Sequence, residues 1–292
     1  MYQAIASNKR KTFFIMALFL AIILAVAWLA SYLLGWNAPV FTLIALVVAT
    51  VYAFIQYFAA ARIALAVNGA REIQKADDPR YYRIVENLAI TAGLPMPKVY
   101  IMEDPALNAF ATGRDPNHAV VCATTGLLQT MTDTELQAVM AHELGHVQNY
   151  DIRVMMITFG LVSAIGLLTD LIIHAIWFGG GDGDDAPSPI FMILGIIAIV
   201  LAPFIATLVQ LAVSRRREYL ADSSGVMLTR YPEGLASALE KIKNSTSVTR
   251  RQNSSSAHLF FANPLKKNFF NNLLSTHPPV EDRIARLRGM GL

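Results

Sequence analysis

The sequence has a single cysteine, Cys122, and few charged residues for a chain of 292. One cysteine cannot form an internal disulfide bond, so a disulfide-stabilised fold is excluded. Charged residues make up 15% of the chain and hydrophobic residues 54%, and the mean hydropathy of +0.44 is high for a soluble enzyme. The net charge is only +3, with basic residues beside apolar blocks, so we expect them to set membrane topology and not to bind nucleic acid.

Four long apolar runs predict four membrane spans. A helix needs about 20 mostly apolar residues to cross a bilayer. Residues 13–34, 39–58 and 190–213 meet this requirement, and the first run is too long for a signal peptide and lacks a convincing cleavage site. Residues 154–178 form a weaker candidate because they include two ionisable side chains, so this run either crosses the membrane or only dips into it.

Basic residues predict the orientation of these spans. Lys9 to Lys11 precede the first run and Arg215 to Arg217 follow the last, whereas the loop at 179–185 is rich in glycine and acidic residues. Because Lys and Arg accumulate on the cytoplasmic side, both termini and the large polar segments are predicted to be cytoplasmic. The predicted organisation is a transmembrane hairpin (1–67), the first part of a polar domain (68–153), a second transmembrane hairpin (154–213) and the second part of the polar domain (214–292).

The first polar segment combines helices with short extended runs. Thr132 and Glu135 form a capping box, in which each side chain satisfies a backbone amide at the start of a helix. That helix is predicted to run to about Asn149. The sequence also predicts a helix at 81–92, extended runs at 99–102 and 108–113, and a β-rich partner strand at 118–124. We therefore expect a mainly α-helical membrane protein with an α+β domain that contains a small sheet.

The capping-box helix carries the pattern His-Glu-x-x-His at residues 142–146. Residues four apart share a helix face, so the imidazoles of His142 and His146 can bind one Zn²⁺. Glu143 projects beside that face, where it can take a proton from water activated by the metal. A purely structural zinc site is the alternative, but such a site usually has four protein ligands, often cysteines. With one cysteine in the chain, the pattern predicts a catalytic zinc site.

A third zinc ligand is required, and zincins supply it in more than one way. The metzincin extension places a glycine and a histidine where this chain has Asn149 and Ile152, so that route fails. The other zincin plan draws a glutamate from a second helix, and Glu218 fits it. Asp222 lies four residues later on the same face and can accept the spare N–H of a ligating histidine. Alternatively, Glu218 and Asp222 only neutralise Arg215 to Arg217.

Several motifs together resemble one family of membrane proteases. They are His142-Glu-Leu-Gly-His146, Arg217-Glu-Tyr-Leu-Ala-Asp222, Asn108-Ala-Phe-Ala-Thr-Gly113, and Thr276-His-Pro-Pro279 with Arg283 downstream. With the order of the four spans, they resemble the HtpX membrane metalloproteases, gluzincins related to the CAAX prenyl proteases. The resemblance implies a zincin-like domain with one zinc ion on His142, His146 and Glu218, and with Glu143 as the base. It also implies a heat-shock-associated inner-membrane protease that helps remove misfolded membrane proteins.

Four residues, Asn108, Ala109, Phe110 and Ala111, are predicted to bind substrate. They would belong to an edge strand that pairs with the substrate backbone and gives affinity with little sequence preference. An ordinary internal strand is the alternative.

Two residues near the C-terminus complete the predicted site. His277 precedes two prolines that set a turn and the start of a helix, and we expect its imidazole to stabilise the oxyanion on the scissile carbonyl. A helix-capping role is the alternative. Arg283 is expected to pair with Asp222 or another site carboxylate, although it can instead lie in solvent.

Other functions stay open from the sequence alone. A CAAX-type prenyl-protein endopeptidase usually has more spans, and a site-two-type protease takes its third ligand from an aspartate inside a span. A zinc transporter or a membrane scaffold is a further alternative, but a transporter needs facing ionisable ligands at mid-membrane, where only Asp170 and His174 come close. The expected partners are the lipid bilayer, membrane-protein substrates and other quality-control proteases, with no nucleic acid.

Overall fold

The computed structural model describes residues 2–33, 37–178, 215–245, 260–261 and 278–290, which are mostly helical. The helices are α1 (Tyr2–Leu33), α2 (Ala38–Asn68), α3 (Pro79–Ala92), α4 (Thr125–Thr130), α5 (Asp133–Gln148), α6 (Asp151–Phe178), α7 (Arg215–Thr229), α8 (Pro232–Asn244) and α9 (Val280–Arg288). The strands are β1 (Ala70–Glu72), β2 (Lys98–Met102), β3 (Ala109–Gly113) and β4 (Ala119–Thr124). The helices and strands predicted in the first polar segment are confirmed, with ends within two residues.

Helices α1 and α2 are long and apolar enough to cross a membrane, over Ala6–Trp28 and Pro39–Asn68. Only 22% of the apolar stretch in each is buried inside the molecule, so most of these side chains face outward, as they would toward lipid. Helix α6 contains the weaker predicted span at 154–178 and packs against both α1 and α2. The predicted span at 190–213 and the loop at 179–185 lie outside the described residues.

A four-stranded mixed sheet has the order β1-β2-β4-β3. Strands β2 and β4 are parallel, whereas β1 pairs with β2 and β3 pairs with β4 in antiparallel fashion. Strand β3 therefore lies at an edge of the sheet, as the sequence predicted. All five of its residues are buried because α5 and α6 pack against it.

Helix α5 forms the centre of the polar domain, and its predicted capping box is present: Thr132 and Glu135 each accept a hydrogen bond from the other's backbone N–H. The helix packs against α3, β3, α7 and α8, and Leu136, Val139 and Leu144 are almost fully buried. Burial of each such side chain contributes about 1.5–3 kcal/mol, so α5 is a firmly held support for the residues it carries.

Two glycines let α5 and α7 approach closely. A methyl group at Gly225 of α7 would lie 2.9 Å from the backbone nitrogen of His142, and one at Gly145 of α5 would lie 3.2 Å from the side chain of Ser224. Larger residues would push the helices apart. The close crossing brings Glu218, at the start of α7, next to the histidines of α5.

Candidate active site

The structure brings His142, His146 and Glu218 together in one buried cluster. Their donor atoms lie within 4.8 Å of one another, and none of the three residues is more than 4% exposed. The two Nε2 atoms are 3.1 Å apart. Glu218 Oε2 lies 3.9 Å from His142 Nε2, and Oε1 lies 3.5 Å from His146 Nε2.

These distances fit a tetrahedral metal ion. Two nitrogen or oxygen ligands, each about 2.0–2.1 Å from one tetrahedral zinc, lie about 3.3 Å apart. The three distances among the two histidine Nε2 atoms and the Glu218 oxygens, 3.1, 3.5 and 3.9 Å, lie close to that value. Two imidazoles and a carboxylate are also a donor set that zinc accepts, with a fourth position left for water or substrate.

The outer nitrogen of His142 is held by Asp222, as the sequence predicted. His142 Nδ1 donates to Asp222 Oδ1 over 2.9 Å, which directs Nε2 toward the cluster. Arg283 donates to both oxygens of Asp222, with distances of 2.6 and 2.9 Å, so the structure also places Arg283 where it was predicted and not in solvent. Burial alone would raise the pKa of Asp222, but Arg283 and His142 lower it, so the buried carboxylate stays charged.

The outer nitrogen of His146 is held by Asp151, which sequence reasoning missed. His146 Nδ1 lies 3.1 Å from Asp151 Oδ2, and Asp151 is fully buried. Burial would lower the pKa of His146, but Asp151 and the charge of Glu218 outweigh it and raise the pKa to about 9. The available signal was an acidic residue in the first turn after the His-Glu-x-x-His helix.

Arg217, one of the basic residues from which the topology was predicted, also lies at this centre. It is 6% exposed, and its Nη1 lies 3.6 Å from Asp151 Oδ1. The alternative that Glu218 and Asp222 only neutralise Arg215 to Arg217 is wrong, because both carboxylates are buried beside the histidines.

Glu143 lies beside the cluster and is 2% exposed. Burial raises its pKa to about 7, and the charge of Glu218 adds to this effect, although His146 and a hydrogen bond from the backbone N–H of Ala111 oppose it. A carboxyl group whose pKa is near neutrality can both accept and return a proton at physiological pH.

The predicted substrate strand, β3, runs past Glu143. On the edge of β3 that does not face β4, one backbone carbonyl already accepts a hydrogen bond. The backbone N–H of Phe261 donates to the carbonyl of Ala109 over 2.8 Å. The side chain of Asn108 accepts from the N–H of Ala109, and Phe110 is buried in the sheet. The edge position is thus confirmed, whereas pairing with substrate stays a prediction.

His277 lies outside the described residues, and so do the side chains of Asp170 and His174.

Comparisons with known proteins agree with this geometry. The sequence profile of peptidase family M48 matches residues 75–291. A protease HtpX homologue from Tropheryma whipplei (strain Twist) is 52% identical over the whole chain, with 99% of its own length covered. One from Streptococcus uberis is 45% identical, with 99% of this chain and 100% of the relative covered.

The crystal structure of S. mikatae Ste24p shares the fold. The TM-score is 0.52 at 19% identity, with 98% of this chain and 67% of that one covered. A whole-length match to several HtpX homologues, together with the family profile, is decisive. The chain therefore belongs to peptidase family M48 and is a membrane-bound metalloprotease.

Proposed function

We propose that the protein is a zinc-dependent endopeptidase that holds one Zn²⁺ per chain on His142, His146 and Glu218. The observation that carries this proposal is the orientation of the two histidines. Both Nδ1 atoms face a buried aspartate, so both Nε2 atoms face each other and Glu218. A zinc ion bound there supplies Lewis-acid chemistry, which lowers the pKa of a water molecule and polarises the scissile carbonyl.

Glu143 is the proposed general base. It takes a proton from the attacking water and passes it to the nitrogen of the leaving amine. Its buried position beside the two histidines supports both transfers. His277 is proposed to donate a hydrogen bond to the oxyanion on the scissile carbonyl.

The substrate is proposed to bind as an extended strand along residues 108–111. Main-chain pairing at a sheet edge gives affinity without strong sequence preference, which suits a protease that removes misfolded membrane proteins. The bond from Phe261 to Ala109 supports the idea that this edge accepts a further strand.

The proposed location is the cytoplasmic (inner) membrane, with four spans and the active site on the cytoplasmic side. The basic residues at 9–11, before the first apolar run, support this orientation. His142 and His146 lie near the end of α5, just before α6, and Glu218 lies in the first turn of α7, just after the predicted span at 190–213. The metal cluster is therefore expected near the membrane surface.

Cleavage of casein or a model membrane protein by purified full-length protein tests the proposed function. Glu143→Gln should retain zinc but lose at least about 10²–10⁴-fold in turnover, because the variant keeps the ligands and lacks the base. Chelation should abolish wild-type activity and added zinc should restore it. Glu86→Gln, at an exposed ion pair with Lys75, serves as the control. Turnover of Glu143→Gln within about tenfold of wild type would show that another group is the base.

A further inference from the structure

The first membrane helix reaches the metal cluster through one buried amide. Asn8 of α1 is 3% exposed. Its Nδ2 donates to Asp151 Oδ1 over 2.7 Å and to the backbone carbonyl of Asn149 over 2.9 Å. A side-chain amide has two N–H groups, so both donors are used on the turn that follows α5.

This turn has a backbone conformation that needs support. Tyr150, between α5 and α6, has a φ of 61°, which is a rare value for a bulky residue. Its ring lies 5.0 Å from Lys9 Nζ of α1 and 5.0 Å from the guanidinium of Arg153. Helix α1 thus contacts each residue of the turn 149–151.

The turn determines where Asp151 lies, and Asp151 orients His146. One oxygen of Asp151 faces His146 Nδ1, and the other accepts from Asn8. We infer that Asn8 is a positioning residue for the metal site, acting through Asp151 on His146, so that the first membrane helix is part of the support of the catalytic centre. This inference rests on the proposed zinc ligands.

Zinc affinity is the measurement that isolates this role. Loss of the carboxylate that orients a ligating histidine lowers metal affinity by about 10–100-fold, so Asp151→Ala is expected in that range. Asn8 contacts Asp151 and not the histidine itself, so its effect should be smaller. We expect Asn8→Ala to lower zinc affinity roughly three- to tenfold. Asn8→Asp has nearly the same shape but places an acceptor against Asp151, so it should be at least as damaging.

The experiment uses full-length protein in detergent or nanodiscs, with zinc affinity measured by competition with a fluorescent chelator. Asn68→Ala is the matched control, because Asn68 is also a buried asparagine in a membrane helix but donates to Ala64 of its own helix. In an Asp151→Ala background, Asn8→Ala should have no further effect on affinity. The inference would be overturned if Asn8→Ala lowered zinc affinity equally in the wild-type and Asp151→Ala backgrounds. It would also be overturned if Asn8→Ala lowered zinc affinity no more than Asn68→Ala does.

Phe261 is buried beside the metal cluster. Its backbone N–H donates to Ala109, as the N–H of a substrate strand would. Its ring is 4% exposed, lies edge-on to the ring of His142 with centroids 4.9 Å apart, and faces the guanidinium of Arg283 at 4.8 Å. The chain's own phenylalanine thus pairs with the edge strand β3 and packs against His142 and Arg283.

We propose that the pocket that holds Phe261 is a substrate subsite for an aromatic side chain, and that Phe261 competes for it. The cation–π contact with Arg283 and the edge contact with His142 favour a ring over an acidic or small side chain. The proposal rests on the proposed function and adds a preference at one substrate position.

Two peptides that differ only in phenylalanine or aspartate at one position test this subsite. Phe261→Ala should lower KM for the phenylalanine peptide several-fold and leave zinc content unchanged. Phe54→Ala, at an exposed position on α2, is the control. An unchanged or higher KM in Phe261→Ala, with cleavage still dependent on Glu143, would overturn the subsite alone. Cleavage that persists in Glu143→Gln would instead contradict the proposed function.

Discussion

At the scale of single residues, the two histidines are supported by the same kind of arrangement. His142 faces Asp222, which pairs with Arg283, and His146 faces Asp151, which lies near Arg217. A buried carboxylate is costly unless a cation or hydrogen bonds stabilise it. In both cases an arginine offsets this cost, so the carboxylate can hold the imidazole with Nε2 turned inward.

The two arrangements differ in geometry. Arg283 makes two short bonds to Asp222, whereas the nearest nitrogen of Arg217 is 3.6 Å from Asp151. A bidentate arginine–carboxylate pair fixes the orientation of the carboxylate and also stabilises its charge. Asp222 is thus held by an arginine, whereas Asp151 depends on the amide of Asn8.

Replacement of Glu218 tests the ligand set. Glu218→Ala should sharply reduce the zinc content of the purified protein, because two histidines alone leave the metal with too few protein ligands. Metal analysis of the variant beside Glu240→Ala, which alters an exposed glutamate paired with Arg288, provides the comparison. Full zinc occupancy in Glu218→Ala would rule out this ligand.

His277 has two possible roles that kinetics separate. Loss of an oxyanion donor should reduce kcat by about 10²–10³-fold and leave zinc content unchanged. Loss of a helix cap would instead lower stability by about 1 kcal/mol with nearly normal turnover. Turnover and thermal melting of His277→Ala decide between them, and early melting with normal turnover would exclude the catalytic role.

The parts of the site that could be predicted are those with short sequence spacing. His142 and His146 lie four apart on one helix face, and so do Glu218 and Asp222, so each pair can be recognised from local spacing. That the two pairs meet was expected from the zincin plan and the family resemblance. Asp151 is close in sequence too, but its contact with His146 requires the left-handed conformation of Tyr150. Asn8 is far from the histidines in sequence, so no local pattern could have identified it.

At the scale of secondary structure, one glutamate joins two helices of the polar domain. Glu135 caps α5 and also accepts hydrogen bonds from Ser237 and Lys241 of α8, each over 2.6 Å. Burial would raise its pKa, but these bonds and those from Thr132 lower it to about 2. The charged form is therefore stabilised by folding.

This shift predicts how stability depends on pH. Because the folded pKa lies below the ordinary value of 4.5, the contribution of Glu135 is complete above about pH 4.5 and declines as the pH falls toward 2. Glu135→Gln should remove roughly 1–2 kcal/mol at pH 7, after allowance for solvent screening at the half-exposed Lys241.

Thermal melting between pH 7 and pH 3 measures this effect. The difference in melting temperature between wild type and Glu135→Gln should become smaller as the pH falls below about 5. Glu240→Gln, at an exposed ion pair, should show little difference throughout. If the difference in melting temperature between wild type and Glu135→Gln stays constant down to pH 3, the pKa assigned to Glu135 is contradicted.

Helix and strand positions were predictable because their signals are local. Asp78 caps α3 through the backbone N–H of Tyr81, and Gly93 ends that helix in the left-handed conformation. The parallel pairing of β2 with β4 has no local signal, because it depends on a connection that places β3 outside β4. The close crossing of α5 and α7, made possible by Gly145 and Gly225, likewise appears only in three dimensions.

At the scale of the whole molecule, the membrane helices and the metal site form one unit. Helix α6 starts at Asp151, the residue that faces His146, and continues along α1 and α2. The buried residues Ile15 and Phe19 of α1 pack in one cluster with Ile157 and Leu161 of α6. This packing and the amide of Asn8 connect the first helix to the site, so the anchor contributes to its geometry.

The proposed topology can be tested with single cysteines in a Cys122→Ser background. Asn37 follows the first span and Ser188 lies beyond the predicted third span, so both should react with a membrane-impermeant maleimide added to intact cells. Gln74, which is exposed on the polar domain, and Ser254 should react only after permeabilisation. Labelling of Gln74→Cys or Ser254→Cys in intact cells would contradict a cytoplasmic active site. Protection of Ser188→Cys alongside labelling of Asn37→Cys would keep the first hairpin but show that residues 154–213 do not form two complete spans.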